Sequence, residues 1–283
     1  MSDKLTVKEF IAKKNKTKLS LLTCYDYSFA CIFDKCGLDA LVVGDSLTNV
    51  VLGLEDTRKI SLREMLNHVL AVSKGAQNTM IIVDMPYKAY QVDPSKCVDN
   101  AKKLIAAGAD AVKVEWFPKV EGKGYEYVIK KITKAGIPVM GHIGLTPQTA
   151  KLLGGFKVQG KTVDSGIELI EQACRVEKAG AFGVVLECVP ADLAKLITEK
   201  IGIPTIGIGA GKDCDGQVLV SYDVLGIYQG KRPKFARVYA DLSKIIKEAV
   251  GSFIDDVCDA KFPSLSESFT IDDEVLKEIK NNI

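Results

Sequence analysis

At 283 residues, with 47% hydrophobic and 26% charged side chains, the chain is long and apolar enough to bury a full-sized core and is not a disordered polymer. A net charge of +2 leaves no footprint for nucleic acid or an anionic membrane, and no stretch approaches the roughly 18 apolar residues of a membrane helix. Eight cysteines without a Cys-x-x-Cys pair, beside two histidines, argue against a zinc site and fit a reducing, cytoplasmic setting, as does the lack of an apolar leader core in Met1-Ser2-Asp3-Lys4-Leu5.

Thr6 caps an amphipathic helix expected over residues 6–14, with Phe10 and Ile11 inward. The run Lys13-Lys14-Asn15-Lys16 reads as its solvated end. Leu19 to Cys24 is a first strand, a helix over 27–36 stops at Gly37, and 40–44 is a second strand. Ser61-Leu62-Arg63-Glu64 has the pattern of a capping box and opens a helix to about Ser73, closed by Gly75. The third strand is 79–83, and Asp93-Pro94 opens a helix that ends at Ala107-Gly108-Ala109. A phrase then repeats, in which a helix stops at glycine and turns into a strand. It precedes strands at 111–115, 139–142, 183–187 and 205–209. Gln217 to Val220 is a weaker eighth strand, followed by a helix from about 238 to 250.

Eight strands alternating with helices predict an α/β protein, a single-domain (β/α)8 TIM barrel with its core over about 18–250. A doubly wound open sheet is the alternative pattern. Residues 144–163 form a glycine-rich excursion expected to act as a lid or binding loop. In the tail, 252–283, an irregular Phe262-Pro263-Ser264 precedes a short charged helix over 271–279, suited to packing or subunit contact.

Apolar runs that end in a charged residue carry the chemistry. Parallel strands covered on both faces are nearly all apolar, and barrel active sites sit at strand C-termini. Asp45, Asp84 and Glu115 close the second, third and fourth strands, so they should converge. Three close carboxylates repel, and a hard divalent cation such as Mg²⁺ relieves this where one of them does not take up a proton. Lys113, two residues before Glu115, shares its face and needs an anionic partner, either Asp84 or a substrate carboxylate; a Schiff-base role is also open. Glu187, flanked by Leu186, Cys188 and Val189, is a candidate general base whose pKa burial should raise. His142 could donate to a carbonyl or carboxylate, whereas His68 reads as a packed mid-helix residue. Gly207-Ile208-Gly209-Ala210-Gly211 is either a phosphate loop or a tight turn.

At these positions the chain resembles the ketopantoate hydroxymethyltransferase family, from about Lys18 to Phe269. The resemblance is carried by Thr23-Cys24-Tyr25-Asp26-Tyr27-Ser28, Val43-Gly44-Asp45-Ser46, Asp84-Met85-Pro86 and Val112-Lys113-Val114-Glu115. It continues through Gly141-His142-Ile143-Gly144-Leu145-Thr146-Pro147-Gln148, Leu186-Glu187-Cys188-Val189-Pro190 and Ile206-Gly207-Ile208-Gly209-Ala210-Gly211. The resemblance implies a Mg²⁺-dependent barrel that transfers a one-carbon unit from 5,10-methylenetetrahydrofolate to 3-methyl-2-oxobutanoate through an enolate, in pantothenate synthesis. It places metal ligands on Asp45, Asp84 and Glu115, and keto-acid contacts on Asp45, Ser46, Asp84 and Lys113. The proton acceptor falls on Glu187, Tyr25 and His142 are further substrate contacts, and the assembly implied is a homodecamer. Glu267 departs from the histidine often found before Ser-Phe in the family, and the tail beyond Phe269 is longer than expected. A Mg²⁺-dependent lyase or mutase acting on 2-oxo acids, of the isocitrate lyase and phosphoenolpyruvate mutase kind, is the alternative function.

Overall fold

The computed structural model describes residues 4–118 and 124–283; the opening Met1-Ser2-Asp3 of the stretch read for a leader lies outside them. Eight parallel strands close in sequence order: β1 (Leu19–Thr23), β2 (Ala40–Val43), β3 (Met80–Asp84), β4 (Ala111–Glu115), β5 (Val139–Gly144), β6 (Gly183–Glu187), β7 (Thr205–Ile208) and β8 (Gly216–Leu219). β8 pairs back with β1 through Leu19↔Gly216 and Leu21↔Val218, which excludes the open sheet. The expected strands are met within two residues; β5 runs on past His142 to Gly144.

Side chains alternate across each strand, and this divides the core in two. Val112 and Val114, like Ile81 and Val83, point outward against the helices. Ala111, Met80, Ile82, Met140, Val185 and Ile206 point inward and fill the barrel. Phe10 of the first helix, Val7–Ala12, packs edge-on against Phe182 with that inner cluster. Ile11 faces the other way and is 36% exposed, so only one of the two residues expected inward is buried. The adjacent lysines also depart from the expected solvated end. Lys13 pairs with Asp39, and Lys14 Nζ lies 2.8 Å from the buried Asp215 Oδ2, tying the N-terminal segment to the turn before β8.

Thr6 and Ser61 both form capping boxes, with Glu9 and Glu64. The helix Leu62–Gly75 includes the glycine expected to end it. A Cβ at Gly75 would lie 2.7 Å from Ala30 Cβ, so the glycine permits the close crossing with the helix Tyr27–Phe33. Asp93-Pro94 opens a single 3-10 turn, and the helix proper is Cys97–Ala106. Beyond the barrel, the helix Leu242–Cys258 continues past the expected end at 250, and a second covers Asp273–Asn281.

Candidate active site

Inner-face parity carries functional groups to one end of the barrel. Asp84 follows Met80 and Ile82 on the inner face of β3, and Lys113 and Glu115 follow Ala111 on that of β4. His142 follows Met140 on β5, and Glu187 follows Val185 on β6. The register sets Asp84 beside Lys113 and Glu115 beside His142. Asp45 stands two residues beyond β2, where its amide donates to Asp84 Oδ2 at 3.1 Å. All six line one cavity of about 630 Å³ at the C-terminal mouth.

The side chains form a charged lattice. Lys113 Nζ sits 3.0 Å from Asp84 Oδ1, 4.0 Å from Glu115 Oε1 and 3.0 Å from His142 Nδ1. An ammonium can only donate, so His142 Nδ1 accepts and its proton resides on Nε2, 3.2 Å from Glu187 Oε2. Burial, and then the Lys113 charge, hold the imidazole below its ordinary pKa, in the neutral form. Burial also works against the Lys113 ammonium, but Asp84, Glu115 and Asp45 outweigh it and hold it above the usual lysine range. A lysine held cationic is a poor Schiff-base nucleophile, which weighs against that option.

The carboxylates show the strain expected of them. Burial, followed by the charges of Glu115 and Asp84, raises Asp45 well above the carboxylate range. Burial lifts Glu115 to about 7 against the pull of Lys113. Glu187 is raised by burial and partly restored by His142, so its surroundings are less uniformly apolar than its sequence neighbours imply. Among the described residues no three His, Cys, Asp or Glu side chains already stand as a metal cluster, and Lys113 lies within 4.0 Å of both Asp84 and Glu115. The donor set still fits magnesium, which is commonly bound by one or two carboxylates with water and substrate oxygens completing its shell. Asp84 Oδ1 lacks an aligned hydrogen-bond donor despite the nearby lysine, leaving an acceptor available.

One consequence concerns stability. Between a free glutamate near 4.5 and the folded Glu115 near 7, the native state binds a proton that the unfolded chain has lost. Unfolding free energy should therefore fall as pH rises through that window. With EDTA present, Tm should drop between about pH 5 and pH 7, and Glu115→Gln should make that decline shallower. A decline unchanged in the variant would show that Glu115 does not titrate there.

Tyr25 and Ser46 also join the site: their hydroxyls are 2.9 Å apart, and Ser46 lines the cavity. His68 packs as expected, donating Nδ1–H to the Tyr25 carbonyl at 2.7 Å. The glycine run after β7 is a turn: Gly209 has φ +64°, and a Cβ there would lie 2.6 Å from the Phe235 ring.

Sequence reasoning assigned no role to Gln148, although it lies within a motif of the resemblance. The 144–163 excursion turns inward through Pro147–Thr149 and seats Gln148 among the acids. Its amide donates to Glu115 Oε2 at 2.9 Å, and its Nε2 donates to Asp45 Oδ2 at 2.8 Å. Tyr90 braces it, donating to Gln148 Oε1 at 2.8 Å and accepting from the Glu115 amide at 2.9 Å. Tyr90 carried no signal, since it sits in a short helix, Tyr87–Tyr90, that periodicity cannot reveal.

A closed (β/α)8 barrel with buried acids, a cationic lysine and a carboxylate–imidazole pair at its C-terminal mouth defines an enzyme that handles small anionic substrates. Sequence comparison narrows this class. The profile of ketopantoate hydroxymethyltransferase matches residues 4–265, and the chain belongs to that family. It is 49% identical over 269 residues to a 3-methyl-2-oxobutanoate hydroxymethyltransferase of Dehalococcoides mccartyi, covering 95% of this chain and 94% of the relative. It is also 49% identical over 276 residues to the Enterococcus faecalis enzyme of that name, covering 97% and 98%. In fold it is similar to 2,3-dimethylmalate lyase, of the PEP mutase/isocitrate lyase superfamily, at TM-score 0.59 and 15% identity over 99% of this chain and 100% of that one.

Proposed function

We propose that the protein transfers a hydroxymethyl group from 5,10-methylenetetrahydrofolate to C3 of 3-methyl-2-oxobutanoate, giving 2-dehydropantoate for pantothenate synthesis. The observation that supports this best is the arrangement of Lys113, His142 and Glu187 on three successive strands around one cavity. In this reading Lys113 holds the substrate anion and Glu187 accepts the proton at the same mouth, in a chain half-identical to enzymes of that name.

Lys113 and the Ser46 hydroxyl hold the substrate carboxylate, and Tyr25 fixes Ser46. Glu187 takes the C3 proton, and the His142 Nε2–H facing it orients the carboxylate. Asp45, Asp84 and Glu115 would hold Mg²⁺, which as a Lewis acid favours the negative charge that develops on the keto oxygen. The nucleophilic C3 then bonds to the folate methylene carbon as one of its two C–N bonds breaks, and the proton held by Glu187 goes to the freed nitrogen. Water replaces the second C–N bond, giving its oxygen to the hydroxymethyl group and its other proton to the departing tetrahydrofolate nitrogen.

The lyase or mutase alternative shares the fold, but at 15% identity the likeness reaches no further. Turnover decides between them: 3-methyl-2-oxobutanoate should be consumed only when methylenetetrahydrofolate is supplied. Folate-independent cleavage of a 2-oxo acid would reverse the assignment. Asp84→Ala should weaken keto-acid binding measured by calorimetry with Mg²⁺, and EDTA should weaken it likewise in the unmodified protein.

The 144–163 excursion covers the mouth in this reading: Leu145, Pro147 and Phe156 line the cavity, and Phe156 remains 73% exposed. The protein also self-associates in this reading. The helix Leu242–Cys258 buries no residue and exposes Ile245, Ile246, Val250, Phe253, Ile254 and Val257, a face suited to a second copy. Light scattering should find an oligomer, a decamer if the resemblance extends to assembly, and Ile246→Glu with Phe253→Glu should dissociate it. Among the described residues no helix is long and apolar enough to cross a membrane.

A further inference from the structure

Four buried side-chain polar atoms have no aligned hydrogen-bond partner among the described residues: Thr57 Oγ1, Asp84 Oδ1, His142 Nε2 and Asp223 Oδ1, of which Asp84 Oδ1 still has Lys113 at 3.0 Å and His142 Nε2 has Glu187 at 3.2 Å. All four residues line the same barrel-mouth cavity. Asp84 and His142 belong to the acid–lysine cluster, but Asp223 does not. It lies in the short helix Ser221–Val224 that follows β8, and it is 5% exposed. Lys231 and Arg232 line the same cavity, yet neither is within ion-pair distance of Asp223 among the described residues. An unpaired buried carboxylate oxygen costs folding stability, and groups kept at such a cost are commonly reserved for a ligand.

The surroundings of Asp223 narrow the ligand. Leu219, Val220, Tyr228, Pro233 and Phe235 give this side of the mouth an apolar wall. A cavity of about 630 Å³ is far larger than a branched keto acid needs. Burial raises the Asp223 carboxyl, with Arg232 partly opposing, and its charge reaches the Tyr25 hydroxyl that bonds Ser46. Its neighbours fix it beside β1: the Tyr222 ring lies 5.5 Å from that of Tyr25, and the Ser221 hydroxyl is 3.2 Å from that of Thr23. An apolar wall with one unpaired carboxylate suits a flat heterocycle with two adjacent N–H donors on one edge. A reduced pterin has such an edge in its ring N3–H and exocyclic 2-amino group, which match the two oxygens of a carboxylate.

We propose that Asp223 determines specificity for the second substrate, accepting the N3–H and 2-amino hydrogens of the pterin ring. This rests on the one-carbon transfer proposed above. The test compares the unmodified protein with Asp223→Asn and Asp223→Ala, using methylenetetrahydrofolate and an analogue in which a methyl group replaces the 2-amino group. In both variants KM for methylenetetrahydrofolate should rise about ten- to a hundredfold, the range for hydrogen bonds to a charged group. KM for the keto acid should move by less than about threefold, because the two substrates use different walls. The analogue should be discriminated against by the unmodified protein, and that discrimination should shrink in Asp223→Asn.

Thermal unfolding of the free proteins separates a structural role. Tm of Asp223→Asn should be unchanged or higher, because an unpaired charge has been removed. Unchanged folate KM in both variants, or a parallel loss of keto-acid affinity, would overturn the proposal. A lower Tm without loss of analogue discrimination would do so too. If the unmodified protein shows no turnover with methylenetetrahydrofolate, the functional reading fails first and this inference falls with it.

Discussion

Glu187→Gln should slow exchange of the C3 hydrogen of 3-methyl-2-oxobutanoate in deuterated water by about 10²- to 10⁴-fold, the usual cost of losing a general base. The substitution preserves shape and removes only the capacity to take a proton. Lys113 and Ser46, which hold the substrate carboxylate in the proposed function, are untouched, so keto-acid affinity measured by calorimetry should stay within about threefold. Exchange requires no folate, so proton magnetic resonance reads the first chemical step in isolation. Burial raises the Glu187 carboxyl, and a base works only when ionised. The rate of exchange in the unmodified protein should therefore fall as pH drops through that raised pKa, and the residual exchange of the variant should lack this acid limb. Full exchange in Glu187→Gln would assign the proton to another group, with His142 the nearest candidate at 3.2 Å.

The barrel and most of its rim were legible in the sequence because both follow from period two. Parallel strands buried on both faces read as apolar runs, and a polar residue that interrupts a run is assigned a face by counting. Lys113 and Glu115, two apart, share the inner face of β4 as that counting requires. What was not legible depends on contacts between distant segments. Gln148 reaches Asp45, 103 positions away, and nothing in Pro147-Gln148-Thr149 announces that a loop amide will bond a carboxylate. Asp223 follows β8, the weakest strand signal, where a short helix hides the face it presents. Lys13 and Lys14 after the first helix depart from a solvated end for a similar reason. A charge run looks solvated until a partner such as Asp215 is brought under it by closure of the barrel. Counting carboxylates also leaves out the place of Lys113 among them, since its ammonium lies 3.0 Å from Asp84 and 4.0 Å from Glu115.

Lys113→Met should produce the other large effect, and on two properties at once. Methionine reproduces much of the apolar stem without the charge. Asp45, Asp84 and Glu115 then face one another with no cation, and the loss of one member of a buried charge cluster typically costs about 3–5 kcal/mol. The acids can relieve part of this by binding protons, which Glu115 already does near 7. The loss should therefore be smaller near pH 6 than near pH 8 when unfolding by urea is measured with EDTA present. Lys113→Arg should not restore function, because a planar guanidinium cannot take the place of a compact ammonium against His142 Nδ1 at 3.0 Å. Keto-acid affinity should fall by about a hundredfold or more in Lys113→Met, since the substrate carboxylate loses its charge-assisted partner. In the unmodified protein, borohydride with the keto acid should leave the intact mass unchanged, because an ammonium held above its usual range does not form an imine readily. Unaltered stability and unaltered keto-acid binding in Lys113→Met would mean that the acids neither need the lysine nor share it with substrate. A trapped adduct would instead restore the Schiff-base role that the charge on Lys113 argues against.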